Sequence, residues 1–184
     1  NGSGKSTLLD IISGVIIPDT GAIKVDNKDI KSNINGWQEN IIFLSQKNYL
    51  FEDTLLSNIV LGEENKDINK NKLKNILKIS NLEKFIESLP EGIETKLGSS
   101  NTRFSGGQQK KIQIARCFYQ IDDYKKVIIL DEPFENLDME TKSKFSNYVK
   151  DLKKDKLIII ISHTESDLEI CNKLFDLEKN DLIA

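Results

Sequence analysis

The chain has 184 residues, which is the size of one domain and enough to bury a substantial core. Its 26 Lys and Arg and 29 Asp and Glu give a net charge of -3, so we expect no long-range attraction to nucleic acid or anionic lipid. Cys117 and Cys171 lack metal-type spacing and are too few for a disulfide framework, which favours a reducing, cytosolic compartment. The aliphatic runs are far too short to cross a bilayer.

The first part of the chain predicts a helix, a hairpin, a strand and then several helices. The first helix covers residues 5–13, because its apolar residues recur on one side. A hairpin is expected around Asp26 and Asn27, and the aliphatic run Ile41–Leu44 predicts a short buried strand. From residue 53 to about residue 119 the apolar residues recur at helical spacing.

Strands and helices alternate in the last part of the chain. Aliphatic runs predict strands at residues 127–130, Leu157–Ile161 and residues 174–177. A helix with Phe145 and Val149 on its apolar face lies between the first two of these strands. Continuous aliphatic strands indicate a sheet that is covered on both faces.

This order of elements predicts an α/β fold. It has a parallel-sheet core, a small antiparallel β element and an inserted α-helical subdomain. We expect a single domain over residues 1–184, with a core lobe of about residues 1–47 and 120–184 and a helical lobe of about residues 48–119.

The opening residues, NGSGKST, supply most of a phosphate-binding loop. Glycines let backbone N–H groups curl around phosphate oxygens, Lys5 places a charge on the outer phosphates, and the Ser6 hydroxyl suits Mg²⁺. The helix that follows adds its positive N-terminal end. The candidate nucleotide-binding residues here are Asn1, Gly2, Ser3, Gly4, Lys5, Ser6 and Thr7. A glycine-rich surface turn is the alternative for this stretch alone.

The segment VIILDEP ends a predicted buried strand with Asp131 and Glu132. Ligands of parallel sheets bind at the carboxyl ends of the strands. Asp131 would hold Mg²⁺, directly or through water, and Glu132 would polarise the attacking water as a general base. An ordinary acidic strand end is improbable when a G-K-S loop lies upstream.

Ser105 and Gln108 enclose two glycines in the segment FSGGQQKK, a pattern that resembles a capping box. With Gly106 and Gly107 between them, the helix N-terminus is left bare. A bare N-terminus with a hydroxyl and two exposed amides can receive an anion. A plain helix cap is the alternative, but it would have no use for two consecutive glycines.

Together these motifs resemble the ATP-binding cassette of ABC transporters. A phosphate loop, then S-G-G-Q about a hundred residues after Lys5, then a hydrophobic-D-E-P segment occur in that order along essentially the whole chain. The resemblance implies a P-loop NTPase fold of the RecA-like kind. It also implies that the chain binds ATP and Mg²⁺ and hydrolyses ATP.

The resemblance assigns roles to further residues. Residues 105–108 would be the signature motif, which contacts the γ-phosphate held on a partner cassette. Gln46 would be the Q-loop glutamine that senses Mg²⁺ and the attacking water, Asp138 the D-loop acid, and His163 the switch histidine that contacts the γ-phosphate. Taken alone, a Gln or His at such positions is more often structural. The implied catalytic residues are Glu132, His163 and Gln46, and the implied Mg²⁺ ligands are Ser6, Gln46 and Asp131.

Two segments, NYLFEDTLLSNIVLG and LPEGIETKLGSSNTRFSGGQ, resemble the exporter branch of the family. In that branch the cassette usually follows six membrane helices on the same polypeptide. The resemblance therefore implies a C-terminal fragment of a half-transporter, truncated before its first strand, with a transmembrane domain fused upstream. We expect the 184-residue piece to fold poorly and to bind ATP weakly by itself.

The resemblance also implies partners and a location. The partners would be the transmembrane domain and a second cassette, identical or not, in a head-to-tail dimer, with no nucleic acid. The cassette would lie on the cytoplasmic face of the inner membrane and power export of a lipid, a lipid-linked saccharide or a peptide.

Two other functions stay open. A soluble ABC-type ATPase of the translation-factor kind would carry two cassettes in one chain; the DNA-repair kind would need a long coiled coil before the signature, and the intervening stretch is too short for one. A degenerate cassette that does not hydrolyse ATP is the second alternative. The intact Lys5, Asp131, Glu132 and His163 argue against it.

Overall fold

The computed structural model of the protein describes residues 4–47, 49–63, 67–97, 104–177, 179 and 181–182. The helices are α1 (Lys5–Ile12), α2 (Ile34–Glu39), α3 (Leu55–Val60), α4 (Lys70–Ile79), α5 (Glu83–Glu87), α6 (Gly106–Tyr119), α7 (Met139–Leu152) and α8 (Glu165–Leu168). The strands are β1 (Lys24–Val25), β2 (Lys28–Asp29), β3 (Ile41–Leu44), β4 (Val127–Asp131), β5 (Leu157–Ile161), β6 (Phe175–Asp176) and β7 (Asp181–Leu182). Short 3₁₀ helices cover Ile30–Asn33 and Gly92–Glu94.

The central sheet is parallel, with the strand order β3–β4–β5. Ile41 lies opposite Val127, and Val127 lies opposite Leu157, so the strands begin in register. Each strand is built mostly of β-branched and other aliphatic residues, which suit a pleated surface covered on both sides. The predicted strands of the parallel core are therefore confirmed.

Alternate residues of β4 face the two sides of the sheet. Ile128 and Leu130 belong to the main core cluster, which includes residues of α3, α4, α6 and α7. Val127 and Ile129 pack instead with Leu9 of α1. All five side chains are buried, and full burial of each aliphatic side chain contributes about 1.5–3 kcal/mol. Helix α1, with Trp37 of α2, thus covers one face of the sheet, and α3, α4, α6 and α7 cover the opposite face.

Helices α3 to α6 lie between β3 and β4 along the chain, as predicted from the helical spacing. Thr54 caps α3 by accepting the N–H of Ser57, and Asn69 caps α4 by accepting the N–H of Lys72. Helix α6 packs against α3, α4 and β3. The division into two lobes with the boundaries given above stays a prediction.

The hairpin expected at Asp26 and Asn27 is present. Both residues have positive φ, 49° and 63°, which is the backbone of a two-residue hairpin turn. Strands β1 and β2 pair antiparallel, with Lys24 opposite Asp29. This pair confirms the small antiparallel element.

The strand expected at residues 174–177 is shorter than predicted and lies outside the central sheet. Strand β6 covers only two residues and pairs antiparallel with β7. Phe175 is exposed and Asp176 interrupts the aliphatic run, so this segment lacks the two apolar faces of a central strand.

Among the helices in the described ranges, none combines the length and the apolar character needed to cross a membrane.

Candidate functional site

The carboxyl ends of the parallel strands bring three predicted site residues together. Gln46 follows β3 by two residues, Glu132 directly follows β4, and His163 follows β5 by two residues. All three line one pocket of about 280 Å³. Parallel strands that run in register end at the same edge of the sheet, and ligands of such sheets bind there. The predicted catalytic residues therefore share one space.

The backbone of Glu132 is strained. Its φ of 46° lies in the left-handed region, which costs a residue other than glycine about 1–2 kcal/mol. Its N–H donates to the carbonyl oxygen of Ile161 over 2.9 Å, which fixes Glu132 against the end of β5. Strain of this kind persists only where the surrounding structure enforces it, and it concentrates at functional sites.

The carboxylate of Glu132 is buried and only partly satisfied. Oε2 accepts a 3.4 Å hydrogen bond from the N–H of His163, and Nε2 of His163 lies 3.4 Å from Oε1. The second contact has the distance of an ion pair but not the geometry of a hydrogen bond, and Oε1 has no hydrogen-bond partner in the described ranges. Burial raises the pKa of the Glu132 carboxyl, and His163 offsets only part of that rise. A buried oxygen without a partner suits a bound water.

Asp131 is the last residue of β4 and lies among several charges. Burial raises the pKa of Asp131, Lys110 acts to lower it, and Asp10 of α1 acts to raise it. Asp10 of α1 therefore adds to the negative charge at the carboxyl end of β4.

The predicted Mg²⁺ ligands are hard oxygen donors. Ser6 offers a hydroxyl, Gln46 an amide oxygen and Asp131 a carboxylate, and Mg²⁺ prefers such donors. The described residues contain no group of three or more Asp, Glu, His or Cys side chains that could hold a metal by themselves. Mg²⁺ commonly binds through one or two carboxylates together with substrate phosphates, so this sparse donor set fits Mg²⁺ that arrives with a nucleotide.

The start of α1 carries the described part of the predicted phosphate loop. Gly4 precedes the helix with a φ of 79°, a conformation that glycine adopts without a steric penalty. Lys5 is half-buried, and Ser6 and Thr7 are exposed. No side chain of the described residues caps α1, so its first N–H groups are open to a ligand. The remaining predicted loop residues, Asn1, Gly2 and Ser3, lie outside the described residues.

The segment at Ser105 forms a capping box, as its sequence indicated. The Ser105 hydroxyl accepts the N–H of Gln108 at 3.2 Å, and the N–H of Ser105 donates to Gln108 Oε1 at 2.8 Å. Ser105 and Gly106 are exposed. Gly107 lies against Asn136, because a Cβ at position 107 would come within 2.8 Å of the Asn136 carbonyl oxygen. The second glycine therefore allows close packing inside the chain, a role that sequence reasoning missed.

Asp138, the predicted D-loop acid, caps α7 and contacts α6. Its carboxylate accepts the N–H of Thr141 at 2.8 Å and lies 2.6 Å from Lys111 Nζ. Lys111 and the donors of Thr141 hold the pKa of Asp138 well below its usual range. This carboxylate is therefore engaged within the chain, and its role toward a nucleotide stays a prediction.

Sequence reasoning also missed Lys110, a buried lysine whose charge interacts with the acidic residues of the site. This α6 residue is 2% exposed, and its Nζ donates to the carbonyl oxygen of Ser45 at 3.4 Å. The carboxylates of Glu135, Asp131 and Glu132 all act on its charge. The signal that could have identified it is its position on the apolar face of a helix.

Comparison with known proteins finds relatives along nearly the whole chain. A Rickettsia bellii protein, whose name describes an export ATP-binding/permease protein, is 31% identical over 180 residues, which cover 97% of this chain and 30% of the relative. A glutathione/L-cysteine transport system ATP-binding/permease protein of Bacillus subtilis is 32% identical, over 89% of this chain and 28% of its own length. The chain thus spans less than a third of the length of these relatives.

Solved structures agree with the fold. The structure of a bacterial Atm1-family ABC exporter with ATP bound matches 96% of this chain and 31% of that chain, with a TM-score of 0.83 and 24% sequence identity. This likeness confirms the predicted α/β fold with its RecA-like parallel core. The sequence model of the ABC transporter family matches residues 1–135, which is more than half of the chain, and the chain therefore belongs to the ABC transporter family.

Proposed function

We propose that this chain is the ATP-hydrolysing cassette of a membrane exporter. The observation that carries the proposal is the pocket at the carboxyl edge of the sheet, which Gln46, Glu132 and His163 line together. The names of the relatives, which describe ATP-binding/permease proteins, support a transmembrane domain on the same polypeptide. We further propose that the cassette acts on the cytoplasmic face of the inner membrane and that its cargo is a lipid, a lipid-linked saccharide or a peptide.

ATP would be bound from two sides. On one side, the open N–H groups at the start of α1 and the charge of Lys5 bind the phosphates of ATP. On the other side, the exposed Ser105 and Gly106 of a second cassette contact the γ-phosphate, so two cassettes pair head to tail. Ser6, Gln46 and Asp131 would hold Mg²⁺, which when bound neutralises charge on the phosphate oxygens.

Glu132 performs the proton transfer in this mechanism. The water oxygen forms a bond to the γ-phosphorus, the bond between that phosphorus and the leaving oxygen of ADP breaks, and the water proton passes to Glu132. The backbone N–H of His163 donates to Oε2 of Glu132 and so orients the carboxylate. The raised pKa of Glu132 makes the carboxylate a stronger base than an exposed glutamate.

Hydrolysis is coupled to movement through contacts that exist only while the γ-phosphate is present. The two cassettes close around ATP, and loss of the γ-phosphate removes the contacts of Lys5 and of the partner's α6. A swing from about 1:99 to 99:1 between two states requires about 5.5 kcal/mol, which a few charge-assisted contacts can supply.

The test is Glu132→Gln in the native polypeptide. We expect kcat for ATP hydrolysis to fall by about 10²–10⁴-fold, because the amide cannot accept the water proton, while ATP still binds and the cassette dimer stays closed. ATP turnover, equilibrium nucleotide binding and ATP-dependent cross-linking measure these three properties. Because burial raises the pKa of Glu132, wild-type kcat should also decline with falling pH at a higher pH than an ordinary glutamate would allow.

The control is Glu87→Gln, which changes an exposed glutamate of α5 and should leave kcat unaltered. Rapid ATP turnover by the Glu132→Gln protein would show that Glu132 is not the general base. Failure of the wild-type protein to bind or hydrolyse ATP would contradict the proposed function itself.

A further inference from the structure

Side chains on one face of α6 donate hydrogen bonds to the segment that carries Gln46. This segment, residues 45–49, follows β3, and its described residues belong to no helix or strand. The contacts are Lys110 Nζ to the Ser45 carbonyl oxygen (3.4 Å), Gln113 Nε2 to the Lys47 carbonyl oxygen (2.7 Å) and Arg116 Nη1 to the Tyr49 carbonyl oxygen (2.8 Å). We call these three donor side chains the donor ladder.

The donors are spaced so that one side of α6 can serve the whole segment. Residues three apart on a helix lie on one side and advance about 4.5 Å along its axis. The acceptors are the backbone carbonyl oxygens of Ser45, Lys47 and Tyr49, whose segment bends at residues 46 and 47. Side chains of α6 therefore satisfy backbone groups that neither a helix nor a strand satisfies here.

Two members of the donor ladder are polar side chains at buried positions. An apolar side chain there would make the fold at least as stable. Lys110 is 2% exposed and Gln113 is 6% exposed. Burial of an ammonium group is costly, and an apolar side chain of similar volume is often at least as stable. Oε1 of Gln113 lacks a hydrogen-bond partner in the part of the chain that the structure describes. These polar side chains are therefore poorly explained by packing alone.

Lys110 also connects the 45–49 segment to the acidic end of β4. Burial lowers the pKa of Lys110, and the charges of Glu135, Asp131 and Glu132 oppose that change. Its ammonium group thus donates to the Ser45 carbonyl oxygen and is attracted by the carboxylates of the candidate site. A displacement of Lys110 changes both the 45–49 segment and the charge near the general base.

Arg116 anchors the far end of the donor ladder. Besides its contact to Tyr49, it donates from Nε to the Asn58 carbonyl oxygen at 2.6 Å and from Nη2 to Asn58 Oδ1 at 2.7 Å. Asn58 belongs to α3, so Arg116 also supports helix packing. Substitution of Lys110 or Gln113 therefore tests the positioning of Gln46 with less effect on helix packing than substitution of Arg116.

We propose that the donor ladder holds Gln46 in its place in the pocket and that Lys110 and Gln113 are positioning residues for it. Helix α6 is continuous over 14 residues, so its ladder residues form one support for the backbone on either side of Gln46. This scheme rests on the proposed ATPase function.

The test is a double-mutant cycle of Lys110→Met and Gln46→Ala in the native polypeptide. Met keeps the approximate length of the side chain but cannot donate. We expect Lys110→Met to lower kcat at least about tenfold and to change KM for ATP less than about threefold, because a misplaced Gln46 affects the reacting water more than nucleotide binding. In the Gln46→Ala protein, Lys110→Met should lower kcat no further, since no glutamine is left to position.

Two further variants complete the design. Lys110→Arg retains a donor and should recover part of the lost kcat, whereas Lys74→Met changes an exposed lysine of α4 and should leave kcat as in the wild type. Gln113→Leu should reproduce both the loss of kcat and its dependence on Gln46. It replaces Lys110→Met in the cycle if that protein does not fold.

Equal losses of kcat with and without Gln46 would overturn the proposal, and so would full activity of both Lys110→Met and Gln113→Leu. Either result leaves ATP hydrolysis by the wild-type protein intact, so the proposed function would stand. An inactive wild-type protein would overturn the proposed function and, with it, the donor ladder.

Discussion

Helices α1 and α6 both begin at glycine-containing turns, but their first turns differ. Helix α1 follows Gly4, has no acidic residue in its first turn, and is capped by no side chain of the described residues. Helix α6 follows Ser105, and a complete capping box joins Ser105 to Gln108. The first turn of α1 therefore has free donors, whereas that of α6 is partly satisfied by its own residues.

The difference indicates two ways in which a helix start can meet a phosphate. The free N–H groups of α1, with Lys5 beside them, can enclose an anion. The start of α6 is instead held rigidly by the close approach of Gly107 to Asn136 and by the Lys111 contact to Asp138. It is thus suited to touch a phosphate that is bound elsewhere, which agrees with a head-to-tail pair of cassettes.

The largest effect on ATP hydrolysis is expected from a substitution at the start of α1. Lys5→Met removes the charge beside the free N–H groups and should lower kcat/KM for ATP by about 10²–10³-fold, since preorganised electrostatic contacts to phosphate have effects of this size. The loss should appear in nucleotide binding as well as in turnover, measured by titration with ATP and by phosphate release.

Lys70→Met is the matched control for that change. Lys70 is also the first residue of its helix, α4, and it is exposed, but there Asn69 caps the helix. Its replacement should leave ATP binding unaltered. Equal effects at the two positions would show that a lysine at a helix start, and not the free turn of α1, determines affinity.

A smaller effect is expected at Ser105, where two substitutions separate capping from phosphate contact. Ser105→Ala removes the cap and should cost about 1 kcal/mol of stability, whereas Ser105→Asp retains a good cap. The carboxylate of Ser105→Asp would repel a phosphate, so ATP-dependent dimerisation and kcat should fall. The melting temperature should stay the same as in the wild type. Light scattering with ATP and thermal unfolding measure the two properties.

Asn69→Ala supplies the comparison for the capping effect alone. It removes the cap of α4 and should destabilise the protein to a similar extent as Ser105→Ala, with no change in dimerisation. If the Ser105→Asp protein dimerises and hydrolyses ATP normally, Ser105 acts only as a helix cap and does not contact phosphate.

Elements fixed by local patterns were predictable from the sequence. The aliphatic runs located β3, β4 and β5, and the positions of Gln46, Glu132 and His163 after those runs placed them at one edge of the sheet. Short α2 and α8 were not predicted, because helices of this length depend on tertiary contacts. In α2, for example, Trp37 Nε1 donates to the Ile12 carbonyl oxygen at 2.7 Å.

Features that depend on distant partners could not be predicted in this way. Helical spacing places Lys110 on the apolar face of α6, but its acceptor, Ser45, is 65 residues away along the chain, so the contact itself could not be predicted. The left-handed backbone of Glu132 and the close approach of Gly107 to Asn136 likewise arise only when separate elements meet. Sequence periodicity carries no information about such contacts.

A matched pair of glycine substitutions at the start of α6 should change the stability of the protein in opposite directions. Gly107→Ala places a Cβ 2.8 Å from the Asn136 carbonyl oxygen and should destabilise the protein by about 1–3 kcal/mol, because the backbone must move. At Gly106 a Cβ would meet no described atom within 4 Å, and Gly106→Ala should stabilise the protein by about 0.4–1 kcal/mol through the lower entropy of the unfolded chain. Denaturant unfolding of the native polypeptide measures both changes, and effects of the same sign would contradict the close packing of α6 on Asn136. Opposite signs would assign Gly107 to packing within the chain and leave Gly106 as the glycine whose exposed amide is available to a second cassette.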